Sequence, residues 1–273
     1  MQIPFERELE TAIAAADRAG RIILDQYEHF EAVPDARADI STQADRDAQE
    51  AILQVLHRAF PNDALRAEEQ TPSLAGAPLA ATRCWIVDPI DGTRGFAKKN
   101  GEFSVMVALI EQTRILVGVV LEPVADRLAY ATNGGGCWQR QPSAGAATRC
   151  RVRSTRTLAD AILVQSHSRS PGRQSELVAA LAPKRVIETY SAGLKLALVA
   201  RGEADVYLNT YPYFNDWDIC AGQILVEEAG GKVSGLLGEP IHYGGTAGQR
   251  SGLLASNGFL HDSAVAAIRA TRT

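Results

Sequence analysis

Three apolar, β-branched runs follow one another between residues 102 and 131, with only a few polar residues separating them. The runs 102–110 (EFSVMVALI), 115–122 (ILVGVVLE) and 127–131 (RLAYA) predict consecutive antiparallel strands, because a parallel pair needs a far longer crossover. Asn133-Gly134-Gly135-Gly136 then marks a turn into a short strand at Cys137-Trp138, and 139–150 (QRQPSAGAATRC) reads as a loop between two halves. Two amphipathic helices precede the strands. One spans 5–30 with Ile13, Ala16, Ile23, Leu24 and Tyr27 on a face, and the other spans 42–59 with Ala48, Ile52, Leu53, Val55 and Leu56. The small-residue stretch 70–82 (QTPSLAGAPLAAT) is expected to be an exposed loop.

The second half alternates instead: strand 161–166, helix 173–181, strand 185–189, helix 192–201, strand 204–208, helix 217–229, strand 252–256, helix 258–270. Alternation argues α/β, whereas the first half reads as α+β. With 273 residues each half can bury a core of its own. The expected organisation is an N-terminal α+β subdomain over 1–150 and a C-terminal α/β subdomain over 151–273, sharing a cleft.

Within the first half, Trp85-Ile86-Val87-Asp88-Pro89-Ile90-Asp91-Gly92-Thr93 carries the chemistry. Residues 84–88 read as a buried strand ending in an acid. Pro89 cannot continue a ladder or donate a backbone hydrogen bond, so a turn is expected there with Asp91 on it. Gly92 and Thr93 would open a helix, whose first N–H groups suit phosphate oxygens. Taken singly, Asp91-Gly92 reads equally as a hairpin turn and Asp88 as an ordinary strand-end acid. Together they describe a place for divalent cations held against a phosphate.

Composition narrows the partners. A net charge of −4 leaves no basic footprint for a nucleic-acid duplex, yet bound cations would still admit an anionic small substrate. Cys84, Cys137, Cys150 and Cys220 form no C-x-x-C pair and read as free or buried thiols of a reducing compartment. The start MQIPFERELE has charges of both signs and no apolar core, unlike a signal peptide, and no apolar run approaches the ~20 residues of a membrane helix. A cytoplasmic protein without membrane contact is expected.

Further acids complete the pattern: Asp45 after Thr42, the pair Glu68-Glu69, and Asp218 in Trp217-Asp218-Ile219-Cys220-Ala221-Gly222. Each alone has an ordinary explanation, as a first-turn helix acid or a solvated pair. In order and at this spacing, the chain resembles the magnesium-dependent, lithium-sensitive phosphatases of the inositol monophosphatase superfamily. Their signature is an early acid, Glu-Glu, Asp-Pro-Ile/Leu-Asp-Gly-Thr and Trp-Asp-x-x-x-Gly, and the likeness runs from the first helix to EEAGGKV. One departure is Ala67, where a glycine commonly precedes the acid pair.

The resemblance implies a layered α-β-α-β-α sandwich and a cofactor of two or three Mg²⁺ ions. Glu68 and Asp88 with the Ile90 carbonyl would hold one ion, and Asp88, Asp91 and Asp218 a second. Glu68 would also reach a third, weaker ion through water. Gly92 and Thr93 would bind the phosphate, and the Thr93 hydroxyl paired with Asp45 would orient and deprotonate the attacking water. Hard oxygen donors of this kind suit Mg²⁺, and phosphoryl transfer needs positioning and charge neutralisation more than a protein nucleophile. A silent member that only binds phosphorylated ligands would lack one of these residues, and all are present. A homodimer stays open.

For the substrate, Arg94-Gly95-Phe96-Ala97-Lys98-Lys99-Asn100-Gly101-Glu102-Phe103-Ser104-Val105 is similar to the 3′(2′),5′-bisphosphate nucleotidase branch. So is Ser191-Ala192-Gly193-Leu194-Lys195, which puts Lys195 near a second phosphate. Against that branch, Leu208-Asn209-Thr210-Tyr211 lacks an expected arginine, and Ala192-Gly193 replaces a serine pair. Against the inositol branch, Tyr211 stands where an acid usually meets the ring. Tyr211 and Pro212-Tyr213-Phe214 offer aromatic surface to a base, and Asp218 is also expected at the substrate. His167 reads either as a substrate contact or as structural. The order of expectation is adenosine 3′,5′-bisphosphate, then inositol 1-phosphate or a related sugar or alcohol phosphate, then histidinol phosphate.

Overall fold

Small apolar side chains at helical spacing build the first layer. Helix α1 (Glu6–His29) buries Ala12, Ala15, Ala16, Ala19 and Ile23, and α2 (Gln43–Ala59) buries Ala48, Ile52, Leu53 and Leu56. The two helices pack on each other and on a sheet, since alanine faces allow close approach at interior packing density. A capping box starts α2, with Asp45 accepting the Thr42 N–H at 2.8 Å.

The computed structural model describes residues 3–37, 40–78, 81–141, 145–167, 175–211, 214–243 and 252–271. Its first sheet runs in sequence order: β1 (Ala64–Ala67), β2 (Arg83–Asp91), β3 (Ser104–Glu111), β4 (Arg114–Glu122), β5 (Arg127–Thr132), β6 (Gly136–Arg140) and β7 (Thr148–Arg149). β1 and β2 are parallel, and every later pair is antiparallel. Two short helices interrupt the chain, α3 (Pro72–Ala75) and α4 (Thr93–Ala97).

The later residues supply β8 (Ile162–Gln165), α5 (Glu176–Leu181), β9 (Arg185–Glu188), α6 (Ala192–Ala200), β10 (Val206–Asn209), α7 (Asp216–Glu228), β11 (Lys232–Ser234), β12 (Leu253–Ser256) and α8 (His261–Ala270). Their sheet has the order β11-β12-β10-β8-β9, with β8 parallel to both β9 and β10 and β12 antiparallel to β10 and β11.

α6 and α7 lie between the sheets, touching β3 and β4 on one side and β12 on the other. α5 and α8 pack together beyond the second sheet. The layers are therefore α1/α2, sheet, α6/α7, sheet, α5/α8, the α-β-α-β-α sandwich expected. Three apolar cores fill the spaces, and the central one joins Met106, Val120, Leu196, Tyr207, Ile224 and Leu225. All four cysteines are free thiols. No helix of the described residues is long and apolar enough to cross a membrane.

Several expectations change. β2 does not end at Asp88: it continues through Pro89 to Asp91, with a register shift between Asp88 and Asp91. Proline is tolerated because β1 pairs only as far as Val87, and bulges are where strands accept it. β1 and β11 carry no periodic signal and were not expected. The supposed loop 139–150 contains the end of β6 and all of β7, and the loop 70–82 contains α3. Residues 79–80, 142–144, Ser168, 173–174, Pro212 and Tyr213 lie outside the described residues.

Candidate active site

The end of β2 and the starts of three helices meet at one point. Asp88 and Asp91 come from β2, and Asp218 from the first turn of α7. Each offers a carboxylate oxygen, all within 4.8 Å of one another. Asp218 is oriented by a capping box, accepting the Asn215 N–H at 2.6 Å.

Asp91 is held from the far side. Its Oδ2 accepts from the Gly193 N–H at 2.6 Å, from the Ser191 hydroxyl and, at 3.4 Å, from the Ser104 hydroxyl. Ser191 is the N-cap of α6, so this helix start grips the carboxylate. Ser191 was not expected at the site, although a serine directly before an apolar helix is a readable cap.

Burial pushes the carboxyls up. Asp88, 2% exposed, is raised well above its ordinary value by desolvation and then by the charges of Glu68 and Asp91. Asp218 is pushed up to about 7 by desolvation and then by Asp91. Glu68 follows β1; much of the residue is exposed, yet its carboxyl goes up to about 8 through desolvation, then the Asp218, Asp45 and Glu69 charges. Its side chain also hydrogen-bonds Asp88.

Asp88 Oδ1 is buried and has no hydrogen-bond partner. A converging set of hard oxygens with one left unsatisfied is unfavourable alone and suited to a divalent cation. The residues therefore fit the magnesium that the resemblance implies.

Beside the acids lies a hydroxyl–carboxylate pair. The Thr93 hydroxyl sits 3.2 Å from Asp45 Oδ1 and 3.0 Å from the Ile90 carbonyl oxygen. Asp45 is 1% exposed, and desolvation raises its carboxyl despite hydrogen bonds from Thr42 and Thr93. Gly92 is the N-cap of α4 at φ +88°, where a Cβ would come within 2.7 Å of the Glu102 carbonyl oxygen. Only glycine allows that turn. Gln49 secures the acid pair from α2: it accepts the Glu69 N–H at 2.7 Å and donates to the Glu69 carbonyl. No sequence signal singles it out.

Glu68, Asp88, Asp91, Gly92, Thr93 and Asp218 line a cleft of about 460 Å³, together with Arg94, Ser166, Tyr190, Lys195, Tyr211 and Phe214. That is room for a nucleotide-sized ligand. Tyr211 is 53% exposed and meets Phe214 edge-on, 6.2 Å between centroids. Lys195 is buried, and its ammonium goes down to about 8 because desolvation outweighs the pull of Asp91 and Glu102.

Lys98 and Lys99 turn away, donating to the Pro34 carbonyl and to the Tyr27 and Glu28 carbonyls. His167 pairs with Glu102 at 2.7 Å and lies tilted against Tyr190, 4.4 Å between ring centroids.

Residues 6–273 match the sequence model of the inositol monophosphatase family. The chain is 31% identical over 268 residues to a histidinol-phosphatase of Mycobacterium tuberculosis, covering 96% of this chain and 98% of that one. It is 32% identical over 241 residues to the 3′(2′),5′-bisphosphate nucleotidase CysQ of Salmonella typhimurium, covering 86% and 93%. Among solved structures, the Thermotoga maritima IMPase superposes with a TM-score of 0.81 at 27% identity, over 97% of each chain.

Proposed function

The chain belongs to the inositol monophosphatase family and is a phosphatase acting on small phosphorylated substrates, and from that premise we propose that it removes the 3′-phosphate of adenosine 3′,5′-bisphosphate. The observation that carries this reading is the lining of the cleft, where Arg94, Tyr190, Tyr211 and Phe214 add cationic and aromatic groups to the acids. A base can stack there and a second phosphate can be neutralised.

The site residues take these roles. Asp88, Asp91, Asp218 and Glu68, with the Ile90 carbonyl, would hold Mg²⁺. Mg²⁺ bound there would supply positive charge against the phosphate oxygens and acidify water. Gly92 and Thr93 present backbone N–H groups to the reacting phosphate at the start of α4. The Thr93 hydroxyl accepts from the attacking water while donating to Asp45, and Asp45 Oδ1 receives the proton. Burial keeps Asp45 more basic than a surface aspartate, which suits that task. Water attacks phosphorus in line, the ester P–O bond breaks, and the nucleoside oxygen leaves to be protonated by solvent.

A second reading, histidinol phosphate, is supported by the nearly end-to-end likeness to the mycobacterial histidinol-phosphatase. Its ammonium group would face the Arg94 guanidinium, which counts against it. Inositol 1-phosphate is a third substrate to compare. The test is phosphate release from the three compounds side by side, with Mg²⁺ and with EDTA. Preference for the bisphosphate supports the first reading, and preference for either other compound replaces it.

A further inference from the structure

The cation that resemblance places beside a second phosphate is Lys195, and its amine has no donor left. An ammonium carries three N–H bonds. Those of Lys195 reach Ser166 Oγ at 3.2 Å, the Thr189 carbonyl at 2.8 Å and the Tyr190 carbonyl at 2.9 Å. The side chain is 1% exposed. Lys195 stands in α6 and ties the turn before it to the helix.

Arg94 is the opposite case. It lines the same cleft, and its guanidinium carbon lies 5.0 Å from the centre of the Tyr190 ring. Its Nε is shielded from solvent without an acceptor, and no hydrogen bond or ion pair reaches the Arg94 side chain among the described residues. A guanidinium resting on a ring keeps its edge donors for an anion, and a forked set of donors matches phosphate. The ring beneath it is itself fixed. The Tyr190 N–H donates to Glu102 Oε2 at 3.2 Å, and the His167 imidazole lies 4.4 Å from the Tyr190 ring while binding the same Glu102 oxygen.

We propose that Arg94 is the specificity residue that binds a second phosphate of the substrate, and that Lys195 does not contact it. The inference rests on the phosphatase reading of the acidic cluster, because the reacting phosphate must lie against those acids for the second to reach Arg94. It holds for any bisphosphate of suitable span.

The experiment measures kcat/KM, with Mg²⁺, for two matched pairs: adenosine 3′,5′-bisphosphate against adenosine 3′-monophosphate, and fructose 1,6-bisphosphate against fructose 1-phosphate. The readout is the ratio of bisphosphate to monophosphate. For the pair that wild type favours, Arg94→Gln should lower this ratio by about ten- to a hundredfold, as expected for a lost charge-assisted hydrogen bond. Arg94→Lys should restore part of it. Lys195→Met should depress both members of a pair together, leaving the ratio in place.

A ratio unmoved by Arg94→Gln, or one moved by Lys195→Met instead, overturns the proposal. A wild-type ratio near one in both pairs, with Mg²⁺-dependent release from the monophosphates, removes the proposal and leaves the phosphatase standing. A raised ratio confined to the fructose pair, lost in Arg94→Gln, removes the nucleotide reading and keeps Arg94 in its role.

Discussion

The Gly193 N–H donates to Asp91 Oδ2 at 2.6 Å across 102 residues of sequence. The end of β2 and the start of α6 are thereby one structural joint. Asp91 Oδ2 is committed to that joint, and a carboxylate oxygen of Asp91 lies within 4.8 Å of one from Asp88 and one from Asp218.

Replacing Asp91 with Asn should lower kcat by at least about a hundredfold, the loss expected when a charged group acting on the transition state is removed. The fold should survive, because an amide oxygen still accepts from Gly193 and one repulsive charge is gone. Phosphate release beside a thermal melt checks this. Near-full activity in a folded variant would sink the metal assignment.

At Gly92 the obstacle is backbone. A methyl group there would sit 2.7 Å from the Glu102 carbonyl oxygen at φ +88°, so Gly92→Ala should cost about 1–3 kcal/mol of stability or more. It should also remove most activity by displacing α4. Urea unfolding and turnover, measured together, distinguish a strained turn from a tolerant one.

Without metal, stability should fall as pH rises. Glu68 and Asp218 are raised to about 8 and about 7 in the folded state, whereas free carboxyls titrate near 4. Between about pH 4 and pH 8 the folded chain then binds more protons than the unfolded one, and stability declines across that window. The Tm in EDTA should therefore be higher at pH 5 than at pH 8. Adding Mg²⁺ at pH 8 should recover the difference, and a flat profile in EDTA would contradict the coupling.

Lys195→Met should destabilise the chain by about 2–5 kcal/mol, since the buried Thr189 carbonyl and the partly buried Tyr190 carbonyl each lose a donor. Denaturant unfolding gives the value. A loss below about 0.5 kcal/mol, the scale of ordinary surface changes, would mean the turn satisfies those carbonyls by other means.

Millimolar lithium should inhibit Mg²⁺-dependent turnover, as the family resemblance implies. A titration of Li⁺ at fixed Mg²⁺ measures it, and full activity throughout would count against a third, weakly held ion at Glu68.

The parts of this molecule that were legible in the sequence are those written in local patterns. The faces of α1 and α2, the antiparallel run from β3 to β5 and the acids at 88 and 91 could be read from spacing and residue type, and Asp218 joined them through the family resemblance. β1 could not, because ALRA is four residues without alternation and gains its identity only by lying parallel to β2. Lys98 and Lys99 look like solvated charges, and their carbonyl partners in and after α1 stand more than sixty residues earlier. The burial of Lys195 was equally hidden, since α6 is enclosed between two sheets whose strands come from both ends of the chain.

The register shift in β2 has an arithmetical consequence. Strand side chains alternate between faces, so residues three apart should point in opposite directions. Asp88 and Asp91 face Met106 and Ser104, which are only two apart on β3. The extra residue converts an odd interval into an even one and brings both carboxylates to the same side. A regular ladder without the shift, with the same three-residue interval, would keep every acid of the site and send Asp91 toward α1 and α2, leaving Asp88 to meet Asp218 alone.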